Sequence, residues 1–147
     1  MQNELIIDVM LDEHALMPTK AHDPDAGFDL YIPENADPHK LAVRPGDSIV
    51  VDTGVHMAIP YGYTGFLKSK SGLNIKADLN GEGVVDADYT GSIAVKLYNH
   101  GHKTHYFKPK DKLIQIVILP IPKVTLNPVT EFKSTERGDN GFGSSGR

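Results

Sequence analysis

Short runs of β-branched and apolar residues, each closed by glycine, proline or an acidic turn within roughly 8–12 residues, follow one another along this chain. That rhythm leaves little room for helices, which need about 10–12 residues of sustained 3.6-fold periodicity. Residues 4–12 form an extended apolar run, and residues 28–32 form another after the turn D-P-D-A-G. Residues 33–47, with their prolines and R-P-G-D, read as a connection, and 48–59 as a strand region interrupted at Gly54. After the turn Pro60-Tyr61-Gly62-Tyr63, residues 66–70 suit a strand and 71–76 a loop or a single helical turn capped by Ser71. Residues 92–98 alternate as a strand, residues 112–119 are the strongest continuous β run, and these two are expected to pair. The pattern predicts an all-β sandwich, barrel or jelly roll.

A length of 147 residues is one domain's worth, and Gly 14 with Pro 10 agrees with many turns. A net charge of -4 without a basic block excludes a sequence-independent nucleic-acid binder, which needs a positive stripe to displace counterions. A small anionic ligand would require local lysine or arginine, or a metal ion, to offset repulsion from the whole molecule. The absence of cysteine excludes disulfides, thiolate metal sites and cysteine nucleophiles. The first residues, M-Q-N-E-L-I-I-D, lack a basic region followed by a long apolar run, and no run of about 18 apolar residues occurs, so a cytoplasmic location with no membrane partner is expected.

Chemistry concentrates between Gly83 and Gly91, G-V-V-D-A-D-Y-T-G, which reads as a hairpin holding Asp86, Asp88 and Tyr89 on stiff backbone near a turn. A carboxylate so placed acts as a general base on water or holds a hydrated cation, and a neighbouring tyrosine ring offers a flat wall to a small molecule. Taken alone, the stretch reads better as an ordinary exposed acidic hairpin than as a site. From Lys133 the composition changes to S-T-E-R-G-D-N-G-F-G-S-S-G-R, the pattern of a flexible arm over residues 133–147 following a β domain over 1–132. Its parts suit a nucleotide: Arg137 forks onto phosphate oxygens, Ser144 and Ser145 add hydroxyl donors, glycines let backbone N–H groups converge on an anion, and Phe142 covers a base.

Five segments in order resemble the homotrimeric dUTP pyrophosphatases, the dUTPase family. They are A-G-F-D-L at 26–30, K-S-G-L at 70–73, the 83–91 hairpin with Asn80 before it, D-K-L-I-Q at 111–115, and the tail R-G-D-N-G-F-G-S-S-G. One such motif is weak, whereas five in this order are specific. The resemblance implies a distorted jelly-roll or β-barrel domain whose arm closes over substrate. It implies hydrolysis of dUTP to dUMP and pyrophosphate, with Asp86 orienting and deprotonating water. Asn80 matches a residue on the uracil and water side of the pocket, and Tyr89 a ring packed on deoxyribose that leaves no room for a 2′-hydroxyl. Main-chain groups of the hairpin, at Gly83 and Val85, would read the uracil edge. Lys70, Ser71, Gly72 and Gln115 match a phosphate-binding set, and Arg137, Gly141, Phe142, Gly143, Ser144 and Ser145 the closing arm. The resemblance further implies Mg²⁺ carried with the triphosphate, its waters steadied by Asp29, and a homotrimer with active sites between subunits.

The chain departs from the family pattern in three places. Lys70 stands where arginine usually precedes Ser-Gly, offering a point charge in place of a planar fork. Ser145 replaces a threonine, and Lys110 replaces a glycine ahead of the acidic residue of the fourth motif. Asp88 either shapes the hairpin electrostatically or faces solvent. His100, His102 and His105 have no accompanying carboxylate or fixed spacing, so a turn between strands explains them better than a metal site. R-G-D at 137–139 belongs to the arm and is not an adhesion signal. Two other classes stand beside the hydrolase: a dCTP deaminase of similar fold, which needs polar groups at C4, and a non-catalytic nucleotide sensor of the same fold that engages a regulatory protein partner.

Overall fold

The computed structural model describes residues 4–143 and 145–146. Eleven short strands and one α-helix, with a single 3-10 turn at Pro38–Lys40, follow in order: β1 Val9–Leu11, β2 Gly27–Tyr31, β3 Ala42–Val43, β4 Ser48–Asp52, β5 Val55–Met57, β6 Tyr63–Lys68, α1 Ser71–Ala77, β7 Leu79–Asn80, β8 Glu82–Val85, β9 Ala94–Asn99, β10 His105–Tyr106 and β11 Lys112–Pro120. All pairings are antiparallel. A four-stranded sheet runs β2-β11-β6-β8 and a three-stranded sheet runs β4-β9-β7, with the pairs β1-β5 and β3-β10 completing a jelly-roll-like domain.

Alternation sets the core. In β9, Val95, Leu97 and Asn99 turn inward while Ala94, Lys96 and Tyr98 face out, and in β4 Ile49 and Val51 do the same. Leu30, Ile32, Val55, Leu113, Ile114 and Ile116 join them with almost no exposure. Truncating one such Leu or Ile to Ala costs about 2–5 kcal/mol, so these positions fix the register that carries the site.

Three expectations need correction. The 92–98 and 112–119 runs do not pair: β9 lies between β4 and β7, and β11 between β2 and β6, because each strand has its own complementary apolar face. Ser71 is the first residue of α1 and not its cap; Lys70 caps in extended conformation, without a side-chain hydrogen bond. The helix is also longer than one turn, because Asp78 closes it in left-handed conformation (φ 55°), its N–H bonded to the Asn74 carbonyl. The 83–91 hairpin is split. The strands on either side of it do not pair with each other: β8 pairs with β6, while β9 pairs with β7, the strand before Gly81, where the chain crosses from one sheet to the other. A Cβ on Gly81 would lie 2.3 Å from the Lys96 carbonyl oxygen, so only glycine allows this crossing.

Lys110 has φ 74°, the left-handed region where glycine is unstrained. This accounts for the glycine that the resemblance leads one to expect there. The histidine-rich turn is organised by buried Asn99, whose Nδ2 donates to Val43 O (2.9 Å) and Lys103 O (2.8 Å) and whose Oδ1 accepts from Gly101 N (2.9 Å).

Candidate active site

Gln115 lies in β11 opposite Asp29 of β2 on one side and Lys68 of β6 on the other. Its carboxamide donates to the Ser69 carbonyl at 3.1 Å. The glycine of A-G-F-D-L makes this possible, since a Cβ on Gly27 would lie 2.4 Å from Gln115 Oε1 and 3.0 Å from Gln115 Cβ. Asp29 is buried, and both of its oxygens are engaged. Lys70 Nζ donates to Oδ1, and Lys112 Nζ lies 3.2 Å from Oδ2. A buried carboxylate requires such partners. The hydrogen bond to Asp29 pushes the Lys112 ammonium pKa up, so the group stays charged at neutral pH. Two ammonium groups against one carboxylate leave this rim locally positive on an acidic protein, as an anionic ligand demands.

Ser69 ties this rim to the next segment. Its hydroxyl accepts from Gly81 N (3.0 Å) and donates to Gly81 O (3.2 Å), fixing the point where the chain crosses between the two sheets. Beside it, the Asn80 carboxamide oxygen is buried without a hydrogen-bond partner among the described residues. An orphaned buried acceptor costs about 1–3 kcal/mol unless a donor arrives from elsewhere.

β8 is the edge strand of its sheet, paired on one side only with β6, and its Val85 carbonyl accepts from Thr64 Oγ1 at 3.2 Å. At its far end the chain turns through exposed Asp86 and Asp88, with Tyr89 N donating to Asp86 O at 3.1 Å. The Tyr89 ring folds back over Gly91, its hydroxyl donating to Ser92 O at 2.7 Å. A Cβ on Gly91 would stand 2.6 Å from that hydroxyl oxygen. Beyond the turn, Ile93 N donates to Val55 O (2.9 Å) and Thr53 N to Ile93 O (3.0 Å), anchoring the stem to the β4–β5 corner.

The residues singled out from the sequence therefore fall into separate groups. Asp29, Lys70, Ser71, Gln115 and Asn80 gather at one end of β6 and β8, whereas Asp86 and Tyr89 stand at the other. Ser69 lies one position past the Lys68↔Glu82 pair and Asp86 one past Gly65↔Val85, so five strand positions, roughly 16 Å at about 3.3 Å each, part the two groups. The arm joins neither group: Arg137 is exposed and bonds within the arm to Asn140 O, and Phe142 and Ser145 are exposed. Gly141 and Gly143 lie beside Phe142 in the same stretch, and Ser144 lies outside the described residues. Among the described residues no cluster of three or more His, Cys, Asp or Glu side chains forms a metal site; His100 and His102 are exposed and His105 packs edge-on against Phe107. No helix of the described chain is long and apolar enough to cross a membrane.

Sequence reasoning missed Ser69 and Lys112. Nothing in the sequence signals a hydroxyl that ties Gly81, since that contact depends on two strands in register. Lys112 was visible as the cation in D-K-L-I-Q, but its aim at Asp29 depends on the shift in register between Lys112 and Ile114.

The dUTPase family model matches residues 13–146. The deoxyuridine 5'-triphosphate nucleotidohydrolase of Gloeobacter violaceus is 38% identical over 133 residues, 88% of each chain, and that of Yaba monkey tumor virus 37% over 135 residues, 91% of each. Among solved structures, a mutant of the Staphylococcus bacteriophage 80alpha dUTPase with dUpNHpp superposes with a TM-score of 0.85 at 30% identity, covering 97% of this chain and 99% of that one. A mutant dUTPase from phage phi11 of S. aureus, described as revealing the coordination of a structural Mg(II) ion, superposes with a TM-score of 0.76 at 29% identity, over 87% of this chain and 99% of that one. With the family model spanning nearly its whole length and relatives above one-third identity over most of it, the chain belongs to the dUTPase family.

Proposed function

We propose that this protein hydrolyses dUTP to dUMP and pyrophosphate, with Asp86 orienting and deprotonating the water that attacks the α-phosphorus. The observation that carries this reading is the edge strand β8, which has an unpartnered buried carboxamide, Asn80, at its foot and an exposed carboxylate and aromatic ring, Asp86 and Tyr89, at its head. Water oxygen bonds to phosphorus, the bond to the bridging oxygen breaks, pyrophosphate leaves, and the water proton passes to Asp86. Water has a pKa of about 15.7, so a positioned carboxylate lowers the barrier by accepting that proton as the bond forms. Uracil offers one N–H between two carbonyls, which suits the Asn80 carboxamide and main-chain groups of the edge strand β8 around Gly83 and Val85. Tyr89 packs on deoxyribose and rejects a 2′-hydroxyl. This reaction supplies dUMP for thymidylate synthesis and keeps uracil out of DNA, in the cytoplasm.

Lys70, Ser71, Gly72 and Gln115 hold the phosphates. They approach the phosphates from a neighbouring subunit, roughly 16 Å along the strands from Asp86 of their own chain, in a homotrimer whose sites are built between subunits. The arm then closes from a neighbour: Arg137 and Ser145, with Ser144, take the γ-phosphate, Phe142 covers uracil, and Gly141 and Gly143 let it bend. The donor set fits Mg²⁺ only at second hand. Each Asp29 oxygen already accepts from an ammonium group and retains one lone pair, enough to steady a metal-bound water but not to replace phosphate ligands. Mg²⁺ bound with the triphosphate neutralises charge and orients the phosphates. The deaminase and the non-catalytic sensor lack an observation in their favour.

The test is pyrophosphate release with Mg²⁺ from dUTP, dTTP, dCTP and UTP, alongside Asp86→Asn. Cleavage of dUTP alone, abolished by the substitution, is expected. Ammonia release from dCTP would replace the reading with a deaminase, and dUTP binding without cleavage would end the enzyme reading.

A further inference from the structure

The β4–β5 corner carries one histidine against the catalytic turn. His56 is mostly buried, its side chain 17% exposed, and each ring nitrogen meets an oxygen: Nδ1 lies 2.7 Å from Thr90 O and Nε2 lies 2.9 Å from Asp12 Oδ1. Thr90 directly follows Tyr89, the ring assigned to the sugar. Asp12 is itself held, its N–H donating to Gly54 O at 2.8 Å and its carbonyl accepting from Ala15 N at 3.1 Å. A carbonyl and a carboxylate are both acceptors, so both contacts close only when the ring carries two N–H donors. A neutral ring must turn a lone pair toward one oxygen, and repulsion then opens either the Asp12 brace or the Thr90 tether.

We propose that His56, as an imidazolium braced by Asp12, is a positioning residue that pins the Asp86–Gly91 turn through Thr90, so that the grip on the deoxyribose loosens when the ring loses its proton. The main-chain bonds at Ile93 stop three residues short of Thr90, and His56 is the side chain that extends the anchor toward Tyr89. The charged groups facing the ring are Asp12 from the end of β1 and Asp52 from β4; Asp52 also accepts from Ser92 Oγ and from Gly54 N. On the turn side the titratable groups are Asp86, Asp88 and Tyr89, the last committed to Ser92 O. The hydrogen bond to Thr90, with help from Asp12 and Asp52, raises the His56 pKa above 6.5. The raised value sets the direction: the tether is complete below 6.5 and is lost as pH climbs through the folded-state value above it.

The sugar half of this inference rests on the dUTPase reading; the tether does not, and two measurements separate them. In substrate-free protein, NMR titration should show the Thr90 and Gly91 amides following the His56 ring in wild type and losing that inflection in His56→Asn, whose carboxamide replaces the Nδ1 donor without titrating. Amides indifferent to His56 would overturn the tether whatever the substrate. In steady-state assays from about pH 6 to about pH 9, His56→Leu should raise KM for dUTP about 10-fold at the acid end, with kcat little changed, and should narrow the preference for dUTP over UTP. His56→Asn should restore the acid-end KM and hold it level where the wild-type KM climbs. Identical KM profiles in wild type and His56→Leu would overturn the positioning role. A wild type that cleaves no dUTP, yet whose Thr90 amide follows His56, would sink the hydrolase reading and still support the tether.

Discussion

Replacing Gly91 with alanine separates the fold from the grip on the sugar proposed for Tyr89. Gly91 does not have a positive φ, so the backbone accepts alanine without strain. The new Cβ would stand 2.6 Å from Tyr89 Oη, 2.7 Å from Cζ and 2.9 Å from Cε1. All three are far-end atoms of one side chain, so the ring moves and the backbone stays. Reaching ordinary contact requires a shift of about 1 Å, which breaks the 2.7 Å bond to Ser92 O. Loss of that bond is worth about 1 kcal/mol, and for a protein of this size it lowers Tm by about 2–4 °C. The catalytic effect is larger, because misplacing a positioning surface by about 1 Å costs up to about 100-fold. We expect kcat/KM for dUTP to fall about 10- to 100-fold and the dUTP-over-UTP preference to shrink by about 10-fold, while melting changes only slightly. The assay is pyrophosphate release from each nucleotide with a parallel thermal melt. A variant with kcat/KM and preference within about twofold of wild type would show that Tyr89 is not the wall against the sugar. Tyr89→Phe is the control: it keeps the ring, loses the bond, and should show only the smaller effect.

Gly81→Ala should behave in the opposite way. Its Cβ would meet the Lys96 carbonyl at 2.3 Å, a backbone atom that cannot step aside, so we expect a loss of about 2–4 kcal/mol in chemical denaturation. Lys110→Gly should stabilise by about 0.5–1 kcal/mol, since it relieves a left-handed lysine (φ 74°) at the cost of an exposed 3.4 Å ion pair to Glu34. Lys70→Arg should keep the Asp29 pairing and retain activity, whereas Lys70→Met, leaving Asp29 with Lys112 alone, should lose about 1–3 kcal/mol and raise KM for dUTP. His105 gives a pH signature of its own. Burial pushes its pKa below 6.5 despite Asp111, so its contribution is present above 6.5 and lost as pH falls through the lower folded-state value; His105→Gln should flatten that part of a stability-versus-pH curve.

Fold class and the chemistry on offer were already legible in the order of residues. Short apolar runs broken by turns leave only antiparallel sheets, because alternation with period two fixes which residues face inward whatever the partner strand. The five motifs likewise singled out Asp86, Tyr89, Asn80, Ser71 and Gln115, since each proposed role demands a particular functional group. Partnership, by contrast, came only with packing. That β9 pairs with β4 and β7, and never with β11, depends on how whole faces fit, and local alternation is the same for either choice. The crossing between sheets at Gly81 against Lys96, the two lysines on Asp29 and the seat of His56 between Asp12 and Thr90 all join residues distant along the chain. Such contacts leave no periodic trace, because a hydrogen bond depends on position to within a few tenths of an ångström, and only the packed sheets supply that position.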